Sequence, residues 1–313
     1  MPPTPGDTPP VPVLVNPSAG FDGKEAAQKL SDAFRDAGVA VDIRPTEPAR
    51  LADEVRRAAE QGIPTLGVSG GDGSLLTASG ILSGTETALA PVPTGTLNHF
   101  ARRLGLDSVE AAARALAGGR TSRVPLGVVD DHIFLNTATF GLYADVVRRR
   151  ERLRPWLGKW PAAAVSFAVR LVKLRVMDVA LEIDGERLER RTPLVWVGLG
   201  WGSFPLVHEA PERRSHPDLE IVVLRPGGRL GVIGLLARLL FRMHHGERPL
   251  EDPALEVLHA RRLLVRAGRR VGATLDGEVM HFTPPVFVAV QDEAMRVVIP
   301  AEDGSGEEEG GAG

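Results

Sequence analysis

The sequence predicts two domains of different class: an α/β N-terminal domain, a parallel sheet flanked by helices, and then a C-terminal antiparallel β-sandwich. Three observations support this division. Through the first 120 residues, apolar runs of strand length alternate with helical patterns, the sign of repeated βα units. Beyond Val124 short runs rich in Val, Leu and Ile recur with turn signals between them, as antiparallel sheets require. In the first region the loops after strands collect Gly, Pro, Ser, Thr, Asn and Asp (NPSAG, SGGDGS, PVPTGTLNH), and ligands of parallel sheets bind at the carboxyl ends of strands.

Taken in order, Val11–Asn16 reads as a strand and Lys24–Ala37 as a helix that Gly38 ends. Strands at Val39–Ile43, Thr65–Ser69 and Thr87–Val92 alternate with helices at Leu51–Gln61, Leu75–Leu82, His99–Leu104 and Val109–Ala117. Strands of the second region are expected at His132–Thr137, Val179–Ile183, Leu194–Leu199, Glu220–Leu224, Leu263–Ala267, Ala273–Asp276, Val286–Val290 and Met295–Ile299. The domains are set at 11–124 and 125–300, with residues near 291–300 as candidates to return to the first. Residues 1–10, proline-rich and without a signal-peptide pattern, and 301–313, acidic and glycine-rich, read as disordered tails.

Composition narrows the function. Hydrophobic content of 43% and charged content of 25% in 313 residues describe a globular protein with ample core. The absence of cysteine excludes a disulfide scaffold, a thiolate zinc site and thiol catalysis. No apolar run approaches the ~20 residues that span a bilayer, so a cytoplasmic location is expected. The eight histidines show no metal-ligand spacing. No nucleic-acid partner is expected.

Three glycine-containing loops close strands of the first region. Asn16, Pro17, Ser18, Ala19 and Gly20 follow the first; Ser69, Gly70, Gly71, Asp72, Gly73 and Ser74 follow the third; Thr94, Thr96 and Asn98 follow the fourth. Backbone amides and hydroxyls in such turns donate to phosphate oxygens, and Ser74 is placed to cap the next helix, whose positive end favours anions. No P-loop lysine is present. A fourth acidic turn, LDGE at 275–278, lies in the β-rich half. A second DGE, at 184–186, sits between apolar runs and reads as a plain hairpin turn.

NPSAG, GGDGS, PTGTLNHFARRLG, FLNTATFGLYADVVRRRE and LDGE, in this order, resemble the diacylglycerol kinase catalytic-domain superfamily over roughly Val11 to Pro300. GGDG alone is less specific, being shared with NAD kinases and phosphofructokinases. The resemblance implies a nucleotide-binding α/β domain of the NAD kinase and diacylglycerol kinase type, a β-sandwich carrying the lipid side, and a site in the cleft between them. It implies ATP and Mg²⁺ as cofactors, with Asn16–Gly20 and Ser69–Ser74 lining the phosphates and Thr46 and Thr96 adding nucleotide contacts. Asp72 would organise the water shell of Mg²⁺. Either Asp276 or Glu278 would accept the proton of the attacking lipid hydroxyl.

Four departures bear on these expectations, one of them WVGLGWGSF at 196–204, which lacks the asparagines often found on the lipid side. Ser74 stands where threonine is usual and keeps the hydroxyl. His99 replaces a common aspartate. SHPDLEIVVLRP at 215–226 lacks an acidic turn that holds a structural Mg²⁺, leaving His216 or, with a gap, Asp218 as the ligand position.

Access to a bilayer is expected from two stretches. Arg148–Arg175 carries nine basic residues against Glu151, with Trp156 and Trp160; Leu230–Phe241 is apolar apart from Arg238. Both compositions suit a membrane interface and equally suit amphipathic helices packed on the sandwich. A homodimer interface is a further reading of the Leu230 stretch. The functional expectation is an ATP-dependent kinase of a hydroxyl on diacylglycerol or a related lipid, peripheral at the inner membrane surface. The alternatives are a kinase of a soluble hydroxyl compound, NAD kinase-like, and a catalytically silent lipid- or nucleotide-binding protein.

Overall fold

The computed structural model describes residues 9–17, 23–141, 176–183, 185–199, 218–225, 252–268 and 270–301. The stretches Arg148–Arg175 and Leu230–His245, together with Ser18, Ala19, Gly20, Asp184 and His216, lie outside the described residues. The chain divides into two compact units, residues 1–124 with 293–313, and residues 125–292.

In the first unit strands β1 (Val11–Val15), β2 (Val41–Pro45), β3 (Thr65–Gly70) and β4 (Ala88–Pro93) form a parallel sheet in the order β2–β1–β3–β4. Helix α1 (Gly23–Asp36) follows β1, α2 (Pro48–Glu60) follows β2, α3 (Asp72–Leu82) follows β3, and α4 (His99–Arg103) and α5 (Val109–Gly118) follow β4. Each helix forms where its apolar positions recur at helical spacing. Leu30 and Phe34 are buried from α1, and Leu51, Val55 and Ala58 from α2, one turn apart on one face. Pro48 opens α2, where a missing N–H costs nothing, and the Ser108 hydroxyl caps α5 by accepting from the Ala111 amide at 3.1 Å. Val13, Val15, Leu30, Phe34, Val92, Ala112 and Ala113 gather into one core cluster.

In the second unit, β7 (Thr137–Gly141), β10 (Leu194–Leu199), β11 (Leu219–Leu224), β12 (Leu255–Ala260), β14 (Val271–Leu275) and β15 (Glu278–Phe282) pair antiparallel in the order β12–β11–β10–β7–β14–β15. The other layer pairs β8 (Met177–Ile183), β9 (Glu186–Thr192), β13 (Arg262–Ala267) and the start of β16 (Val286–Ile299) antiparallel as β16–β13–β8–β9. A hairpin of β5 (Arg120–Val129) and β6 (His132–Phe134) joins it. Residues of both layers, among them Phe134, Phe140, Val195, Val197, Ile221, Leu263, Val265, Val286 and Val288, form a shared core. Alternation of buried and outward residues along these strands gives the sandwich its two faces.

Four strands escape the sequence reading: β5, β9, β12 and β15. β9, ERLERRT, carries five charges in seven residues and so lacks an apolar alternation. The run His132–Thr137 covers β6 and, beyond Leu135 and Asn136, only the first residue of β7, so most of β7 escapes as well. The stretches at 286–290 and 295–299 are one continuous strand. Its acidic middle, where Glu293 takes a positive φ of 44°, interrupts the hydrophobic pattern without breaking the strand. That strand starts in the second unit and ends in the first, where Val297 lies parallel opposite Leu89.

Candidate functional site

In the first unit the loops after β1, β2, β3 and β4 meet at the carboxyl edge of the sheet. The Asn16 amide donates to the Ser69 carbonyl at 3.0 Å, the Thr46 amide to the Val15 carbonyl at 2.8 Å, and the Thr94 amide to the Gly70 carbonyl at 3.3 Å. These bonds carry the strand ladders outward into the loops, so the loop starts inherit the rigidity of the sheet. The hydroxyls of Ser69 and Thr94, both buried, lie 3.0 Å apart. Thr46, also buried, donates its hydroxyl to the Arg44 carbonyl at 3.0 Å. Beside it a surface cavity of 470 Å³ is walled by Leu14, Arg44, Thr46, Glu47 and Arg50.

The start of α3 corrects one expectation. Gly71, not Ser74, is the cap residue, and no side chain caps the helix. Ser74 lies in the first turn, its hydroxyl accepting from the Asn16 side-chain Nδ2 at 3.4 Å and its own N–H donating to the Gly71 carbonyl. Sequence reading had the helix begin at Leu75, because Asp-Gly-Ser favours turns over helix interiors. The first turn of α3 thus has no side-chain cap, and the positive end of the helix stands behind its amides, a suitable arrangement for anionic oxygens.

Asp72 holds this loop to the next. Its Oδ2 accepts from the His99 amide at 3.2 Å and its Oδ1 from the Phe100 amide at 3.0 Å, so it caps α4 through space. Asn98, the residue at the cap position of α4, cannot do so. It sits in the left-handed region at φ 52° and turns its amide group back to the Gly95 carbonyl at 2.9 Å. The Asn98 Oδ1 is buried and has no hydrogen-bond partner among the described residues. The two loops touch backbone to backbone: a Cβ on Gly95 would lie 2.4 Å from the Gly71 Cα and 2.7 Å from the Asn98 Oδ1. Thr96 and His99 are exposed on the same loop. Of the phosphate-loop residues expected from sequence, Asn16, Thr46, Ser69, Gly70, Gly71, Asp72, Gly73, Ser74, Thr96 and Asn98 are thus gathered on one sheet edge; Pro17 is exposed at the end of the described part of the first loop.

In the second unit the LDGE turn joins β14 to β15. Asp276 adopts a positive φ of 46°, and its carboxylate accepts three backbone N–H groups, from Leu135, Asn136 and Thr137. Its own N–H returns to the Thr137 carbonyl at 2.9 Å. Asp276 is thereby a brace between the turn and the chain entering β7. Glu278 is exposed, and its carboxylate makes no hydrogen bond or ion pair with the described residues. No sequence signal marks the three amides, because backbone donors look alike in any sequence. Asp218 is half-buried just ahead of β11; among the described residues no group of three His, Asp or Glu could hold a metal ion.

Known proteins resemble this chain in sequence and in fold. Residues 10–129 match the family model of the diacylglycerol kinase catalytic domain, so the resemblance expected from the motifs is borne out. A "Diacylglycerol kinase" of Bacillus subtilis (strain 168) is 25% identical over 300 residues, 93% of this chain and 96% of that protein. A "Probable lipid kinase YegS-like" of Pseudomonas putida KT2440 is 32% identical over 173 residues. That match spans 54% of this chain and 58% of the relative's length. A crystal structure of a diacylglycerol kinase from Bacillus anthracis str. Sterne superposes with a TM-score of 0.67 at 19% identity, covering 93% of this chain and 96% of the other. At that identity the superposition speaks for the fold alone.

Proposed function

We propose, from the diacylglycerol kinase catalytic domain matched at residues 10–129, that this chain is an ATP-dependent lipid kinase acting on a hydroxyl of diacylglycerol or a related lipid. The observation that carries the proposal is the uncapped start of α3, pinned to the next loop by Asp72. Phosphate oxygens fit there: no side chain caps the first turn of α3, and the positive end of the helix dipole stands behind its amides. The neighbouring cavity at Thr46 would take the nucleoside end.

ATP supplies the γ-phosphoryl group. The lipid hydroxyl oxygen forms the new bond to phosphorus, the bond from phosphorus to the bridging oxygen of ADP breaks, and the hydroxyl proton goes to a carboxylate on the LDGE turn. We assign that carboxylate to Glu278. The oxygens of Asp276 are engaged by three amides, whereas the exposed Glu278 carboxylate is available to a substrate. Each oxygen of Asp72 accepts one described amide and retains a second acceptor site, so Asp72 is also the contribution this chain would make toward Mg²⁺ and its waters. Asp218 alone forms no cage for a second ion. The lipid would be met at a membrane surface, with the chain peripheral on its cytoplasmic side.

The test is transfer of labelled γ-phosphate from ATP to total extracted membrane lipid with Mg²⁺ present. A labelled lipid that disappears with Glu278→Gln is the expected result. If no lipid class is labelled, the proposal fails; if label goes only to a soluble acceptor, the NAD kinase-like reading replaces it.

A further inference from the structure

The cavity beside Thr46, 470 Å³ in volume, has the size of a small-molecule pocket. Its walls are of two kinds. Leu14, Pro17 and Pro45 are apolar, whereas Arg44 from the end of β2 and Arg50 from the start of α2 bring guanidinium groups. Arg44 and Leu14 are register partners on the parallel strands β2 and β1, so their side chains leave the same face of the sheet. Asp42, two residues back along β2, shares that face.

That spacing lets Asp42 hold Arg44. One carboxylate oxygen, Oδ2, lies 2.7 Å from both Nε and Nη2 of the arginine. The N–H bonds of a guanidinium lie in its plane, so Asp42 engages the edge of the group and leaves its flat faces for another partner. The backbone of Arg44 is fixed as well, its carbonyl accepting from the Thr46 hydroxyl at 3.0 Å. Arg50 has no comparable hold: it lies 3.9 Å from Glu54 and is 72% exposed, against 51% for Arg44.

We propose that Arg44 is a specificity-determining residue for the nucleotide, its guanidinium forming a flat cationic platform on which a purine ring stacks. Leu14 and the two prolines supply the apolar remainder of the slot. The proposal rests on the reading of this sheet edge as a nucleoside triphosphate site. A guanidinium attracts the negative face of an aromatic ring and stacks on it, and a two-ring base offers it more overlap than a one-ring base. Purine nucleotides are therefore preferred over pyrimidine nucleotides. Asp42 also restrains the arginine from swinging toward the phosphates, so Arg44 acts on the base and not on the triphosphate charge.

Calorimetric titration of the full chain with ATP, CTP and inorganic tripolyphosphate, each with Mg²⁺, tests this. Arg44→Ala is expected to raise the Kd of ATP about fivefold and that of CTP no more than about twofold, with tripolyphosphate unchanged. Arg44→Tyr keeps a flat face without the charge and holds ATP within about twofold of the natural chain. Arg44 is half-exposed, so unchanged circular dichroism and thermal midpoint check that both variants are folded. An ATP affinity indifferent to Arg44→Ala overturns the proposal. So does an equal loss for all three ligands, which makes Arg44 a phosphate contact, and so does a tyrosine variant as weak as the alanine one. A natural chain that binds tripolyphosphate as tightly as ATP overturns the platform alone and leaves the phosphate edge standing. One that binds neither overturns the nucleotide-site reading together with it.

Discussion

Asp276 and Glu278 stand two residues apart on one turn and do different work. Asp276 receives three amides; replacing one acceptor oxygen by an amide group sets N–H against N–H. Asp276→Asn is therefore expected to lower stability by about 1–3 kcal/mol, read as a fall in thermal midpoint. Glu278→Gln touches no described partner, so its stability should stay within about 0.5 kcal/mol while kcat drops ~10²–10⁴-fold. A stable, inactive Asp276→Asn protein with an active Glu278→Gln counterpart would reverse the assignment. Gly95 has no room for a side chain. Gly95→Ala must push the Asn98 loop from the α3 start and should weaken ATP binding by about tenfold or more, with about 1–3 kcal/mol of destabilisation, measurable by calorimetry.

At the scale of elements, the sandwich owes one edge contact to a paired charge. The hydrogen bonds of Arg190 draw the Glu256 carboxyl below its usual range, burial opposing and the arginine charge reinforcing the effect; the same pair raises Arg190. A carboxyl lowered on folding stabilises above its unfolded titration range and loses that contribution as pH falls through the folded one. Acid unfolding of the natural chain should therefore show a stability loss below about pH 4.5 that Glu256→Gln lacks, with a difference of about 1 kcal/mol near neutrality. The same elements mark what the sequence could reveal. Periodicity located the helices and apolar strands of the first unit to within a few residues, because Leu30 with Phe34, or Leu51 with Val55, must share a face to be buried. It could not find β9, whose charges face solvent and hide the period of two. Nor could it see that Asp72 caps α4, since a cap normally precedes its helix by one residue and here comes from 27 positions earlier. The glycine loops were legible because phosphate binding by backbone leaves a trace in composition; the braces behind them leave none.

For the whole molecule, the decisive fact is that residues 293–301 belong to the first unit although 168 residues, 125–292, intervene. The Ala294 carbonyl accepts from the Gly84 amide at 2.8 Å and from the Ser83 hydroxyl at 3.3 Å, and Arg296 bonds Glu86 at 2.6 Å. Met295 and Val297 are buried. Ending the chain after Asp292 should leave the second unit's core intact and destabilise the first, seen as selective loss of amide-exchange protection in β4 and α3. Equal protection in the shortened chain would contradict this. The arrangement also orders events during synthesis. A ribosome that has finished Val124 has not yet made the strand that completes the first unit. At about 5–20 residues per second that strand arrives on the order of 10–30 s later. Until then the edge of β4 stands open, and a nascent chain paused in this interval is where a chaperone would find its substrate.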